Sequence, residues 1–272
     1  MTAQRPSLTL ARGWIKVDKN AAAAAALSEG EIAMSYGRIG VIGAMDSELA
    51  ALIAALAQPA RETVQGLVFH TGRLGAREVV LVRCGIGKVS AARCTQVLID
   101  RFAPAAVINT GIAGGLGAGL AVGDIVVADG LVQHDFDAAP IGFVRGCLCM
   151  GDPGAPTVFT PDEPLSALLA RTAGDAAGAQ RVHRGLIATG DQFISGAAEK
   201  AAIRSAFPSA MAAEMEGGAV AQAASMSGVP FAVVRAISDL ADGTAAASFE
   251  QFEQHAADIS AQAVMQALAL LD

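Results

Sequence analysis

Residues 38–44 read RIGVIGA, and residues 45–57 follow as MDSELAALIAALA. The first run is apolar at almost every position and is interrupted only by glycine. That is the pattern of a strand covered on both faces rather than of one half-exposed to water. The second run opens on acidic residues and then carries Leu and Ile at helical spacing, which predicts a helix from Asp46 to about Ala57. A buried strand feeding an amphipathic helix is the unit from which sheets sandwiched between helices are built.

The same alternation recurs outward from this pair. Residues 66–74 and 78–85 predict a strand pair turning at Gly75-Ala76, and 88–102 a helix with Val89, Ala92, Val97, Ile99 and Phe102 on its apolar face. Short β-branched runs bounded by glycines, 106–112 and 124–128, are expected as central strands. Residues 133–160 are irregular and rich in Gly, Pro and Cys, and loops of this length are usually functional or interfacial. Beyond them, expected helices at 164–172, 197–207, 217–227 and 248–271 alternate with strands at 185–189, 212–215 and 231–237. No repeat or linker interrupts the series. The expected fold is α/β, a single domain over residues 38–272 with a mostly parallel or mixed sheet covered on both faces by helices.

Composition narrows the function. Of 272 residues, 53% are hydrophobic and 17% charged, which excludes a disordered chain. The only Trp and the only Tyr, Trp14 and Tyr36, fall in the first 37 residues. Residues 1–37 are therefore expected to be an N-terminal extension, flexible or a tag, with folding beginning near Met34. Arg5, Arg12, Lys16, Asp18 and Lys19 interrupt the place where the apolar core of a secretory signal would lie, and no apolar run is long enough to span a membrane. A formal charge of −7 without any Lys/Arg run argues against nucleic acid as a partner. Cys84, Cys94, Cys147 and Cys149 show no C-x-x-C spacing, so no metal site is expected and the thiols are read as reduced, in a cytoplasmic protein.

Two glycine-rich segments follow strands. In Gly85-Ile86-Gly87-Lys88 the dinucleotide fingerprint stops at G-x-G-x-x-S, no acidic residue closes the next strand, and Val89 stands where a phosphate-binding loop needs Ser or Thr. No cofactor is therefore expected. These glycines, with Gly111-Ile112-Ala113-Gly114-Gly115, are read as tight turns at the carboxyl edge of the sheet, where open α/β sheets bind small ligands. The acidic residues are more informative. Glu48 follows the first strand, Glu214 and Glu216 flank Met215 at a strand end, and Arg235 and Asp239 lie four apart where another strand ends. Carboxylates at the carboxyl ends of apolar strands converge on one cleft, and burial raises their pKa toward the range of a general acid. His70, His183 and His255 are read as surface or locally satisfied, and His134 as a hydrogen-bonding anchor of the long loop. Met211, Met215 and Met226 are read as core fillers, although Met215 shares a turn with Glu216.

Taken in order, residues 39–48 (IGVIGAMDSE), 84–88 (CGIGK), 109–115 (NTGIAGG), 122–127 (VGDIVV), 189–196 (TGDQFISG), 213–216 (AEME), 234–239 (VRAISD) and 248–252 (SFEQF) resemble the 5′-methylthioadenosine/S-adenosylhomocysteine nucleosidases of the purine nucleoside phosphorylase superfamily. The resemblance covers everything after the extension and implies a single α/β domain with a twisted mixed β-sheet flanked by helices. It implies a hydrolase that cleaves the N-glycosidic bond of adenosine thioethers, works as a homodimer and needs no cofactor or metal. By motif, Asp239 would protonate adenine N7, Glu48 would activate the attacking water, and Arg235 would lie near the acidic cluster and that water. Glu216 would hold the ribose hydroxyls with help from the Met215 backbone, Phe193 would stack on adenine, and the Ile194 backbone would read its edge. Ala113 and Gly114 complete the implied substrate contacts. Met45 and Phe249 would surround the 5′-thio group, joined by loop residues such as Ile141 and Phe143 from a neighbouring subunit.

This assignment is chemically coherent. An adenine leaving group must be protonated, and the oxocarbenium-like ribosyl centre is stabilised by nearby carboxylates. Glu48 would repel phosphate, and Arg235 is the only evident cation, which favours hydrolysis over a nucleoside phosphorylase reaction. Retention of Glu48, Glu216 and Asp239 together disfavours the other alternative, a non-catalytic nucleoside-binding relative. Two departures stand out: Ile112 where many relatives carry Ser, and the loop at 140–151, which leaves the 5′-substituent preference open.

Overall fold

The computed structural model describes residues 37–177, 181–242 and 245–271. Trp14, Tyr36 and the expected extension, apart from Gly37, lie outside the described residues. In chain order the elements are β1 (Ile39–Gly43), α1 (Asp46–Ala54), β2 (Ala57–Val64), β3 (Leu67–Leu74), β4 (Arg77–Arg83), α2 (Lys88–Phe102), β5 (Ala106–Gly115) and β6 (Ile125–Gln133). A 3₁₀ turn at Ala139–Ile141 precedes β7 (Val158–Phe159), α3 (Glu163–Ala177), β8 (Val182–Thr189), α4 (Ala197–Ala206), β9 (Ala210–Glu214), α5 (Gly217–Met226), β10 (Phe231–Asp239) and α6 (Ala245–Leu270).

The opening strand explains the layering. Ile39 and Val41 join a buried cluster with Leu49 and Leu52 of α1, Leu165 and Leu169 of α3, and Val264 and Leu268 of α6. Ile42 points the other way, into a cluster holding Leu98 and Phe102 of α2 and Val220 and Ala224 of α5. Both faces of β1 are thus buried, as continuous apolar strands require. Buried hydroxyls tie the layers together: Thr110 Oγ1 and Ser260 Oγ are 2.8 Å apart between β5 and α6, and Thr172 Oγ1 of α3 donates to the Ala263 carbonyl at 3.0 Å.

The mixed sheet has a feature that the sequence pattern did not reveal. β1 runs parallel to β4 and β5, and β3 and β2 extend that side by antiparallel pairing. On the other side β5 pairs with β10 in parallel, β10 with β6 antiparallel, β6 with β8 and β8 with β9 in parallel, and β9 returns antiparallel to β5. These five strands close on themselves. β5 and β9 touch only through Gly114–Ala213 and Gly115–Ala212, at the carboxyl ends of both strands. Two strands of opposite direction therefore bring their functional ends to one place.

Several expectations are corrected. The first helix stops at Ala54, and residues 57–64 form an edge strand. Pro59 and the charges of AQPARETV hide it, yet proline and charge suit an edge, and a register shift between Ala57 and Ala60 accommodates them. The long irregular stretch is shorter than expected, because β6 continues to Gln133 and β7 pairs with it. Val89 is 81% exposed, and α2 buries Ala91, Cys94, Val97, Leu98 and Phe102 instead. Met226 is 69% exposed rather than a core filler. His183 Nε2 lies 3.1 Å from Asp124 Oδ2, a local satisfaction of the kind expected. The His134 imidazole is buried without a hydrogen-bond partner among the described residues, and the anchoring is done by its backbone. Its amide donates to Thr189 O at 2.8 Å, and its carbonyl accepts from Arg145 Nε at 2.6 Å. No helix among the described residues is long and apolar enough to cross a membrane.

Candidate active site

The segment NTGIAGG is not a turn. It is the second half of β5, paired along its length with β10. Its glycines serve close approach instead. A Cβ on Gly111 would stand 2.5 Å from Glu48 Oε1, and one on Gly114 would stand 3.1 Å from Asp239 Oδ1. Two carboxylates are laid against one bare strand, which is why side chains are missing there.

Glu48 sits in the first turn of α1 with its carboxylate turned back toward the sheet. Oε2 accepts from the Ala44 amide at 2.6 Å and the Met45 amide at 3.0 Å, and Oε1 accepts from the Ile112 amide at 3.1 Å. Burial pushes its pKa up, against the pull of the Arg235 charge and these three amides. Asp239 ends β10 where the register with β5 shifts between Ile237 and Asp239, a bulge that re-aims the strand end. Its Oδ1 accepts from the Ala241 amide at 3.0 Å and its Oδ2 from the Ser238 hydroxyl at 3.0 Å. Burial again raises the pKa, opposed by those two hydrogen bonds.

Glu216 begins α5, and its Oε1 accepts from the Gly87 amide at 2.8 Å. Burial and the adjacent Glu214 charge push its pKa up to about 8. Glu214 closes β9 and is fully engaged. Its Oε2 accepts from the Glu216 amide at 3.0 Å and the Gly217 amide at 2.6 Å, at the positive end of α5, and also from Arg235 Nη2 at 2.5 Å. Arg235 further donates to the Asn109 carbonyl at 3.1 Å and to Asn109 Oδ1 at 2.5 Å.

All of these elements except Arg235 open onto a single cleft. Met45, Glu48, Ala113, Gly114, Phe193 and Ile194 line it, together with Met215, Glu216, Asp239 and Phe249. The structure thus brings together every candidate site residue but one. Arg235 is 1% exposed and lies behind Glu214, so it acts on the cleft through its neighbours rather than by contact. Ile141 and Phe143 are not in this lining either. Ser238, Ile86 and Gln192 belong to it without having been singled out as site residues, and Glu214, read in the sequence among the converging carboxylates, belongs to it as well. The E-x-E spacing of Glu214 and Glu216 was visible in the sequence. What was not visible is that β9 stops between them, leaving one carboxylate to the helix start and one to the cleft.

The Phe193 ring meets the Phe249 ring edge to face, with centroids 5.5 Å apart and planes at 88°. The loop carrying Phe193 and Ile194 is tied down at Asp191. The Asp191 amide donates to Asp135 Oδ2 at 2.9 Å, and Asp191 Oδ1 accepts from the Lys88 amide at 2.7 Å. Lys88 Nζ closes the circuit on Asp135 Oδ1 at 2.6 Å.

Residues 38–269 match the sequence model of the phosphorylase superfamily. The 5′-methylthioadenosine/S-adenosylhomocysteine nucleosidase of Actinobacillus succinogenes is 42% identical over 235 residues, 86% of this chain and all of that protein. The S-adenosylhomocysteine nucleosidase of Streptococcus pyogenes, solved in complex with 5-methylthiotubericidin, is 40% identical with a TM-score of 0.81, covering 88% of this chain and 99% of its own. The 5′-methylthioadenosine/S-adenosylhomocysteine nucleosidase of Neisseria meningitidis, solved with methylthio-immucillin-A, superposes with a TM-score of 0.80 at 38% identity over 85% of this chain and 98% of its own. With the fold, the ordered motifs and full-length relatives in agreement, the chain belongs to the 5′-methylthioadenosine/S-adenosylhomocysteine nucleosidases of the phosphorylase superfamily.

Proposed function

We propose that the protein hydrolyses the N-glycosidic bond of 5′-methylthioadenosine and S-adenosylhomocysteine, releasing adenine and the 5′-thioribose. The observation that carries hydrolysis over phosphorolysis is the charge of the cleft. Its described lining includes Glu48, Glu214, Glu216 and Asp239 and no cationic side chain, and the nearby Arg235 is turned away into Glu214 and Asn109. Such a wall offers a phosphate dianion no positive partner and penalises its entry, because phosphate normally needs Arg or free helix N-termini to hold it. Water carries no charge and enters without that penalty.

In this reading Asp239 is the general acid for adenine N7. Burial raises its pKa, the direction that favours the protonated form a general acid needs, and the Ser238 hydroxyl and Ala241 amide hold the carboxyl in place. Glu48 takes the proton of the attacking water. The three amides that fix it orient the carboxylate, and burial moves its pKa up toward the range in which a base is most effective. Glu216 holds the ribose hydroxyls, Phe193 stacks on the purine, the Ile194 backbone meets its edge, and Met45 and Phe249 flank the 5′-thio group. Carboxylates around the ribosyl carbon stabilise the positive charge that develops as the bond breaks.

Residues 38–272 form the catalytic domain of this proposal and 1–37 stand outside it; the family match beginning at residue 38 supports that division. A homodimer is supported by Ile141, Met150 and Met226, which remain exposed apolar side chains in a single chain. The four unpaired cysteines fit the reducing cytoplasm. The reaction is tested by following adenine release from methylthioadenosine in phosphate-free buffer. Turnover without phosphate is expected, and release that requires added phosphate overturns the hydrolytic reading.

A further inference from the structure

Asp239 has a charged neighbour behind the cleft. The last register pair between β10 and β5 joins Asp239 to Gly114, and the next residues along the two chains are Leu240 and Gly115. Lys200, in the first turns of α4, takes the place of the following rung. Its Nζ donates to the Gly115 carbonyl at 2.8 Å and to the Leu240 carbonyl at 2.7 Å. A Cβ on Gly115 would stand 3.1 Å from the Leu240 side chain and 3.4 Å from the Asp239 carbonyl oxygen, so the two strand ends lie in close contact. α4 begins just after Phe193 and Ile194, with Gly196 at its N-terminal cap. One ammonium therefore ties the helix that follows the purine loop to both strand ends that carry the site. Burial and the Arg204 charge lower the Lys200 pKa, while Asp242 and Asp239 pull it back up. Of the charges bearing on Asp239, Asp242 raises its pKa and Lys200 lowers it.

We propose that Lys200 is a positioning residue for the acid step: by holding the Gly115 and Leu240 carbonyls, it fixes the bulged end of β10 and with it the direction of the Asp239 carboxyl. The inference rests on the reading of Asp239 as the acid given under Proposed function. An ammonium carries three N–H donors on one atom, so it serves two converging carbonyls at once. Hydrogen bonds from a charged donor are stronger than neutral ones, and these two are partly buried. The same charge opposes the rise that burial causes in the Asp239 pKa, so the acid keeps its proton without becoming too weak to give it up. Lys200 is absent from the cleft lining, so it acts through Asp239 and not on the substrate.

The experiment records kcat and KM for methylthioadenosine across pH in the full chain and in Lys200→Met and Lys200→Arg, with a melting curve for each. Lys200→Met is expected to lower kcat about tenfold, the scale of one hydrogen bond to a charged group, and to change KM less than about threefold. An acid works protonated, so kcat falls as pH rises through its pKa. Withdrawing the Lys200 charge lets that pKa rise, and the alkaline limb of the kcat profile moves to higher pH. Lys200→Arg keeps the charge and the donors and is expected to restore kcat to within about threefold of wild type. Should Lys200→Met not fold, Lys200→Gln withdraws the charge while keeping a donor, and the same shift of the limb is expected. In an Asp239→Asn background the substitution is expected to cost less than about twofold, because the group it positions is gone. An unchanged kcat, or an equal loss with and without Asp239 and no movement of the limb, overturns the positioning role. Near-normal adenine release by Asp239→Asn alone overturns the underlying reading of the acid instead.

Discussion

Arg235 Nη2 lies 2.5 Å from Glu214 Oε2, with 2% and 1% of the two side chains exposed. The pair joins β10 to β9, and through Asn109 and the amides of Glu216 and Gly217 it also grips β5 and the start of α5. Burial alone would lower the Arg235 pKa, but Glu214, Glu48 and Glu216 together raise it, so the guanidinium is the counter-charge for the whole acidic cluster. Removing one partner of a buried pair leaves an uncompensated charge and costs about 3–5 kcal/mol. Arg235→Met is therefore expected to lower the Tm by about 10 °C in a calorimetric scan. A variant that melts within a degree or two of wild type shows that the clamp does not hold the site together.

Asp239→Asn keeps the shape of the side chain and removes the proton it donates. Adenine release is expected to fall by about 10²–10⁴-fold, the usual contribution of a positioned general acid, with little change in Tm. The check is a steady-state assay on protein whose melting curve has been recorded. Near-normal turnover would remove Asp239 from the role of acid.

Glu216 makes stability depend on pH in a direction opposite to an ordinary carboxylate. Its folded pKa of about 8 lies above the ordinary value of 4.5, so the folded state holds a proton that the unfolded chain releases. The stability this contributes is complete below pH 4.5 and is lost as pH rises toward 8. Glu48 and Asp239, also raised, act with the same sign. The lowered pKa of His134 opposes them only below its ordinary value of 6.5, so the clean window is pH 6.5–8. There the unliganded protein should lose about 1.4 kcal/mol per pH unit through Glu216, lowering the Tm by about 5 °C across the window. Glu216→Gln should flatten that slope. Parallel Tm curves for the two proteins contradict the assignment.

Much of this site was legible before any coordinates. Apolar strands marked by glycine and ended by acid identified Glu48, Glu216 and Asp239, because burying a charge at a strand end has few purposes other than a site. Closure of five strands through β5 and β9 was not legible, since it rests on only two residue pairs. The meaning of Gly111 and Gly114 was misread for the same reason. A glycine that admits a distant carboxylate looks, in one dimension, like a glycine that turns the chain. Arg235 does lie by the acidic cluster, but its burial behind Glu214 was not legible, because spacing along β10 does not say which carboxylate will claim a guanidinium. β2 escaped because an edge strand tolerates the Pro and charge that disqualify a central one.

The loop that carries Phe193 and Ile194 is held by charge on its Asp191 side. Lys88 Nζ and Asp135 Oδ1 are 2.6 Å apart with 18% of each side chain exposed, and Asp135 Oδ2 accepts from the Asp191 amide. Burial would raise the Asp135 pKa, but the hydrogen bonds from Lys88 and the Asp191 amide, with the lysine charge, bring it below the ordinary value. Asp191 in turn accepts from the Lys88 amide, and the neighbouring Gly87 amide reaches Glu216. Asp135 thus couples the loops after β4, β6 and β8, which meet nowhere else by ion pair among the described residues. Asp135→Asn retains the side-chain size and withdraws the charge. A lost hydrogen bond to a charged group is worth about 1.5–3 kcal/mol, part of which loosens the purine loop before substrate arrives. The expected result is a rise of about tenfold in KM for methylthioadenosine with kcat changed less than threefold, because the loop binds the base and does not touch the proton transfers. Adenine binding measured by titration calorimetry should weaken in parallel. If kcat falls while KM and adenine affinity hold, Asp135 acts on the chemistry and the tethering role is wrong.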